Sequence, residues 1–175
     1  MTSAPVPDSV KADSFRSRRL ARLAANPSGA IYGTIVATAV TAAASAHDET
    51  PARIAAANVL TLLVFWLAHV YSEVLAHRLR GAEFRVSVVR TTMANELPMI
   101  EAPALSIVFL LLGALGLLDD QLAINLALAN GVAQLFIWGI VVARRLGWSW
   151  PASALSGVVD ASFAVVIILL KALLH

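Results

Sequence analysis

Residues 54–77 read IAAANVLTLLVFWLAHVYSEVLAH, from Ile54 to His77. No charged side chain occurs before His69, and Asn58 and Thr61 are the only strongly polar residues up to that point. The stretch exceeds the roughly 20 apolar residues a helix needs to cross a bilayer. Its last third then carries His69, Glu73 and His77 at four-residue steps. That spacing puts the three side chains on one helix face. Ionisable groups inside a membrane need a protein partner, a wet cavity or a bound ion. One segment therefore predicts both the fold class and the strongest functional signal in the chain.

Four further apolar segments lie around it: Ala30 to Ala46, Pro98 to Leu118, Gln121 to Ala143 and Ala152 to Leu174. Asn26-Pro27-Ser28, Thr50-Pro51 and Ser149-Trp150-Pro151 are helix entries, each with a capping side chain next to a proline, and Asp119-Asp120 can cap the fourth segment. The chain is 59% hydrophobic and 14% charged, with mean hydropathy +0.77, well beyond the soluble norm. Expected is an all-α polytopic membrane bundle of five transmembrane helices plus a short amphipathic cytoplasmic helix. Residues 29–175 form this single domain, and residues 1–28 a basic, disordered cytoplasmic N-terminus. With 0 cysteines, disulfides, thiolate metal sites and cysteine nucleophiles are excluded.

Arginine placement sets the orientation. Lys11, Arg16, Arg18, Arg19 and Arg22 precede the first segment, Arg78, Arg80, Arg85 and Arg90 follow the second, and Arg144 and Arg145 follow the fourth. The alternate loops hold Asp48, Glu49 and Arg53, then Asp119 and Asp120. The positive-inside rule places the N-terminus in the cytoplasm and, with five spans, the C-terminus outside. Trp148 and Trp150 fit an interfacial aromatic belt. The net charge of +2 is topological, so no nucleic-acid partner is expected; the lipid bilayer is.

Two stretches admit more than one reading. Ala44-Ser45-Ala46 has the small-residue pattern of a signal-peptidase site, against which the preceding polar region is long and the apolar part long as well. Between Arg78 and Glu96, Ala82, Val86, Val89 and Met93 recur at helical spacing, which predicts a short amphipathic helix on the inner leaflet.

Depth brings polar groups from different segments to common levels. At about 1.5 Å per residue, His69 lies roughly 12 Å from the inner end of its helix and Asp160 roughly 13 Å from Pro151. Gln134 and Thr38 reach similar depth. Glu73 and Glu101 share a shallower level near Tyr32. A carboxylate beside an imidazole can relay protons, and the expected proton or ion path is His69, Glu73, Glu101, Asp160, Gln134 and Asn130. His69, Glu73, Glu101 and Asp160 would alternatively offer a nitrogen–oxygen set for a divalent metal ion, the one cofactor the residues suggest. The full His-Glu-x-x-His pattern of a metalloprotease is missing. Against a path stand plainer roles: Glu73 and Glu101 pairing with Arg78 or Arg80, and Asn130 and Gln134 joining helices. Gly29, Gly33 and Ala37 form a small-residue stripe suited to packing within the chain or to an oligomer interface. Lys171 lies near a helix end, where it snorkels, and not in mid-span where a retinal Schiff base would need it.

Ile31-Tyr32-Gly33-Thr34, Trp66-Leu67-Ala68-His69-Val70-Tyr71 and Leu170-Lys171-Ala172-Leu173-Leu174-His175 resemble the uncharacterised small integral membrane proteins of high-GC bacteria. The resemblance carries no activity and no functional residue; the expected location is the inner membrane. The leading expectation is a homo-oligomeric channel or transporter for protons or a proton-coupled cation. Alternatives are an intramembrane metal-dependent enzyme or metal-binding protein, and a non-catalytic assembly partner.

Overall fold

The structure, a computed structural model, describes residues 26–80 and 86–173, and every regular element among them is helical. The basic N-terminal arm, Ala82, Arg85 and the side chain of Lys171 lie outside the described residues. Helix α1 is Pro27–Ser45, α2 Pro51–Leu79, α3 Val86–Glu96, α4 Pro98–Glu101, α5 Ala104–Ala114, α6 Asp120–Arg145 and α7 Trp150–Leu173.

Helices begin at the expected entries, with side-chain caps at Asn26 and Asp119, whereas Thr50 makes no capping bond and α2 starts on Pro51 alone. The Asn26 carboxamide oxygen accepts from the Gly29 N–H at 2.9 Å, with Pro27 in the first turn of α1. Asp119 Oδ1 accepts from the Gln121 and Leu122 N–H groups at 3.0 and 3.2 Å, capping α6. At its other end α6 stops at Gly147, whose φ of 79° is open to glycine. There the Trp148 N–H reaches back to the Ala143 carbonyl at 3.1 Å, the helix-terminating bond that reverses the chain into α7.

Four helices are long and apolar enough to cross a membrane: Pro27–Ser45, Pro51–Leu79, Asp120–Arg145 and Trp150–Leu170. The expected third span from Pro98 to Leu118 is not one straight helix. It divides at Ala102-Pro103, and α5 alone has 11 residues, about 16 Å and half a bilayer. The preceding Val86–Glu101 meets Ala104–Ala114 at 53°. Proline is the cause. Pro103 has no N–H to give the Met99 carbonyl, and its ring crowds the preceding turn. The expected amphipathic helix is therefore no separate surface element, because α3 runs on through Leu97 into α4. Of its expected apolar face, Val86 is exposed and Val89 and Met93 are half-buried, while Thr92 is the buried residue of α3.

Helix α1 sits at the centre, with 44% of its apolar window buried against 22–33% for the other three long helices. It packs on α2 and α4 on one side and on α6 and α7 on the other. Ala30, Ala37 and Ala42 are among its enclosed positions, with Thr34 and Thr41, and their small size permits this crowding. The apolar core joins Ala42 of α1, Ile54 and Ala55 of α2, Leu110 of α5, and Ile124, Ala127 and Leu128 of α6. Helices α6 and α7 make the most extensive pair. They cross closely because Gly139 faces Gly157: a Cβ on Gly139 would lie 2.7 Å from the Gly157 Cα.

Candidate functional site along α2

The residues proposed from sequence separate into an interior group that joins helices and an exposed ladder on α2. In the interior, Asn130 Nδ2 of α6 donates to Ser106 Oγ of α5 at 2.8 Å, and that hydroxyl donates to the Ala127 carbonyl at 3.1 Å. Gln134 Oε1 of α6 lies 3.1 Å from the Thr34 hydroxyl of α1, which also reaches the Ala30 carbonyl at 2.9 Å. Asn58 Nδ2 of α2 donates to Thr41 Oγ1 of α1 at 3.0 Å. Fully buried polar side chains among the described residues are uncharged: Thr34, Thr38, Thr41, Ser45, Asn58, Thr92, Ser106 and Ser153. Thr34, Thr41, Asn58 and Ser106 bond across helices, whereas Thr38, Ser45 and Ser153 bond back to carbonyls three or four residues earlier.

The stripe Gly29, Gly33 and Ala37 is spent inside the chain. Gly29 lies under the Asn26 cap, Gly33 lies against the backbone of Met99, and Ala37 is 2% exposed. Of the two expected uses of the stripe, these contacts are packing within the chain.

Asp160 is half-buried on α7, its Oδ2 only 2.7 Å from where a Gly139 Cβ would stand. The side chain fills the notch left by that glycine. His69 is elsewhere. It is exposed on α2, its ring 5.4 Å from that of Tyr32 on α1, which in turn lies 5.8 Å from Phe65. Helices α2 and α7 make no extended contact, so the matched depths of His69 and Asp160 do not bring the two side chains together. Nor is the metal set His69, Glu73, Glu101 and Asp160 assembled: among the described residues no three His, Cys, Asp or Glu side chains converge on a common point. The depths agreed because depth fixes one coordinate. The direction around each helix, which fixes the other, differs.

What remains together is the ladder itself. His69, Glu73 and His77 are all exposed along α2, continuous with Ser72 and Tyr71. Ser72 Oγ donates to its own Ala68 carbonyl at 2.9 Å and leaves no hydroxyl proton for a neighbour. At the C-terminal end of α2 His77 Nδ1 lies 3.1 Å from Arg80 Nη2. His77 also lines a groove of about 260 Å³ between α2 and α3, with Ser87, Val88, Thr91, Thr92 and Asn95. Hydropathy does not announce this groove; only the four-residue spacing of Ser87 and Thr91 hints at a polar face on α3. Glu101 is half-buried on α4. Near the start of α7, the Arg144 guanidinium stands 4.7 Å over the Trp150 ring and donates to the Trp148 carbonyl at 2.6 Å. The expected aromatic belt is thus tied to its arginine.

Comparison with protein-family models, curated proteins and solved structures gives no match to this chain.

Proposed function

We propose that the chain is an integral inner-membrane protein that moves protons or another small cation along the ladder of α2. The observation that carries this reading is the exposure of His69 and Glu73 on a helix otherwise built for lipid. Helix α2 has 29 residues, about 43 Å, against a hydrocarbon core of about 30 Å. Counting about 20 residues from Ile54 ends the core at Glu73, with His69 about 6 Å inside it. An imidazole and a carboxylate one turn apart can pass a proton or strip water from a cation. Asn58, Asn130 and Gln134, being uncharged and bonded across helices, are poor carriers by comparison.

Arginine-rich ends support five spans with the N-terminus inside and the C-terminus outside. Arg78 and Arg80 end α2 and Asp119 begins α6, a charge pattern that supports a crossing by the intervening bent element. The test is purified protein in liposomes with an internal pH dye and a panel of external cations. His69→Gln and Glu73→Gln are expected to lower flux at least tenfold while leaving the helix content intact. Full flux in both variants would move the site away from α2.

A second reading, a non-catalytic assembly partner, is favoured by the contacts of Asn130, Gln134 and Asn58, whose polar groups serve helix association. It predicts no flux from the native protein in the same liposomes.

A further inference from the structure

The groove between α2 and α3 holds about 260 Å³, close to the lower end of small-ligand sites at roughly 300–1,000 Å³. All its lining residues but Val88 are polar: His77, Ser87, Thr91, Thr92 and Asn95. Thr92 is the decisive one. It is only 9% exposed, and its hydroxyl has no hydrogen-bond partner among the described residues. That hydroxyl is not sealed in the interior, so the groove is where it opens. A buried hydroxyl left unbonded is costly, and a group in the groove would relieve it. The Ser87 hydroxyl and the Asn95 carboxamide are unbonded as well, whereas the Thr91 hydroxyl donates to the Ser87 carbonyl at 2.9 Å.

The chemistry of the lining selects the ligand. Arginine only donates, so the Arg80 Nη2 contact at 3.1 Å makes His77 Nδ1 the acceptor and leaves the ring proton on Nε2. The groove thus offers O–H and N–H donors beside a fixed positive charge. No carboxylate lines it. Glu96, next to Asn95 in sequence, accepts from Asn26 Nδ2 at 3.3 Å. A cation would meet the Arg80 guanidinium with no formal negative charge to hold it. An apolar group would leave the Thr92 hydroxyl unbonded. A phosphate brings negative charge and acceptor oxygens together.

We infer that this groove binds the phosphate group of an anionic membrane phospholipid, with Arg80 supplying charge and Thr92, Ser87, Asn95 and His77 donating to its oxygens. Depth identifies the source. His77 stands one turn, about 6 Å, past Glu73, where the hydrocarbon core ends, and this is headgroup level. The inference rests on the reading of α2 as a membrane helix.

The test titrates the full-length protein in neutral detergent and counts bound molecules by native mass measurement. The probes are dioleoylphosphatidylglycerol, dioleoylglycerol, which lacks the phosphate, and inorganic phosphate. The phospholipid should bind and dioleoylglycerol should not. Thr92→Val, which removes the hydroxyl at nearly constant shape, and Arg80→Gln should each weaken phospholipid binding roughly fivefold or more. Thr92→Ser keeps the hydroxyl and should bind like the native chain. Arg90→Gln removes the same charge from an exposed position outside the lining and should stay within twofold. If thermal unfolding shows that Thr92→Val folds poorly, Asn95→Ala on the exposed rim carries the same expectation. Native binding by Arg80→Gln and Asn95→Ala, equal weakening by Arg90→Gln, or equal binding of dioleoylglycerol overturns the site. Inorganic phosphate that binds where the phospholipid does not overturns the lipid source. Phospholipid binding without flux would remove the ion-movement reading and leave the groove standing; flux without such binding would do the reverse.

Discussion

Gly33 of α1 lies directly against the Met99 carbonyl of α4: a Cβ on this glycine would fall 2.8 Å from the Met99 carbonyl carbon and 3.0 Å from its Cα. Met99 is four residues before Pro103, so its oxygen is the one that a proline leaves without a helical N–H. The missing side chain of Gly33 and the missing donor of Pro103 thus meet at one place. The bend in the α3–α5 element and the central position of α1 depend on each other there.

Gly33→Ala should therefore destabilise the protein by about 1–3 kcal/mol, the usual cost of forcing volume into a packed contact. Gly33→Leu should cost more. Because the contact is internal, any oligomer population at equal protein concentration should stay as in the native chain. Thermal unfolding in detergent and native mass measurement report the two quantities separately. Unchanged stability with an altered oligomer population would mean that this face of α1 points outward.

The composition and the run from Ile54 to His77 were sufficient to read helices of spanning length. Their ends were legible where a side chain caps them, as Asn26 and Asp119 do. The break at Pro103 was less legible, because hydropathy averages over a window and registers neither a lost N–H nor a ring clash. Residue depth could be counted along each helix, which brought His69 and Asp160 to one level. Which way each points depends on how α1 separates α2 from α7, and that depends on tertiary packing of Gly33, Gly139 and Gly157. Periodicity within one segment carries no record of it.

Asn130 and Ser106 link α6 to α5 by a bond that neither residue's position in sequence announces. Asn130→Leu and Ser106→Ala should each lower stability, and the double variant should lose less than the sum. The expected coupling is about 0.6 kcal/mol, typical of hydrogen bonds between membrane helices. A double-mutant cycle by chemical unfolding measures it, and strict additivity would show that the two side chains act independently.

Topology provides a check on the bent element. If Val86–Ala114 crosses the membrane, cysteines placed at positions 2 and 175 lie on opposite sides. An impermeant thiol reagent added to intact cells should then label position 175 and spare position 2. Equal labelling would make the bent element a re-entrant hairpin and reduce the spans to four.

Asp160 supplies the contrast that decides which carboxylate matters. It occupies the Gly139 notch between α6 and α7, with no hydrogen-bond donor among the described residues, and lies apart from the ladder of α2. A carboxylate held in such a place costs stability, and a neutral amide of the same shape costs less. Asp160→Asn should raise stability by about 1 kcal/mol and leave cation flux within twofold of native. Glu73→Gln should show the opposite pattern, with stability little changed and flux lost. Measured side by side in the same liposomes and the same detergent melts, the two variants separate a packing carboxylate from a conducting one. Loss of flux in Asp160→Asn with retention in Glu73→Gln would transfer the path to the α6–α7 crossing and leave α2 as a scaffold.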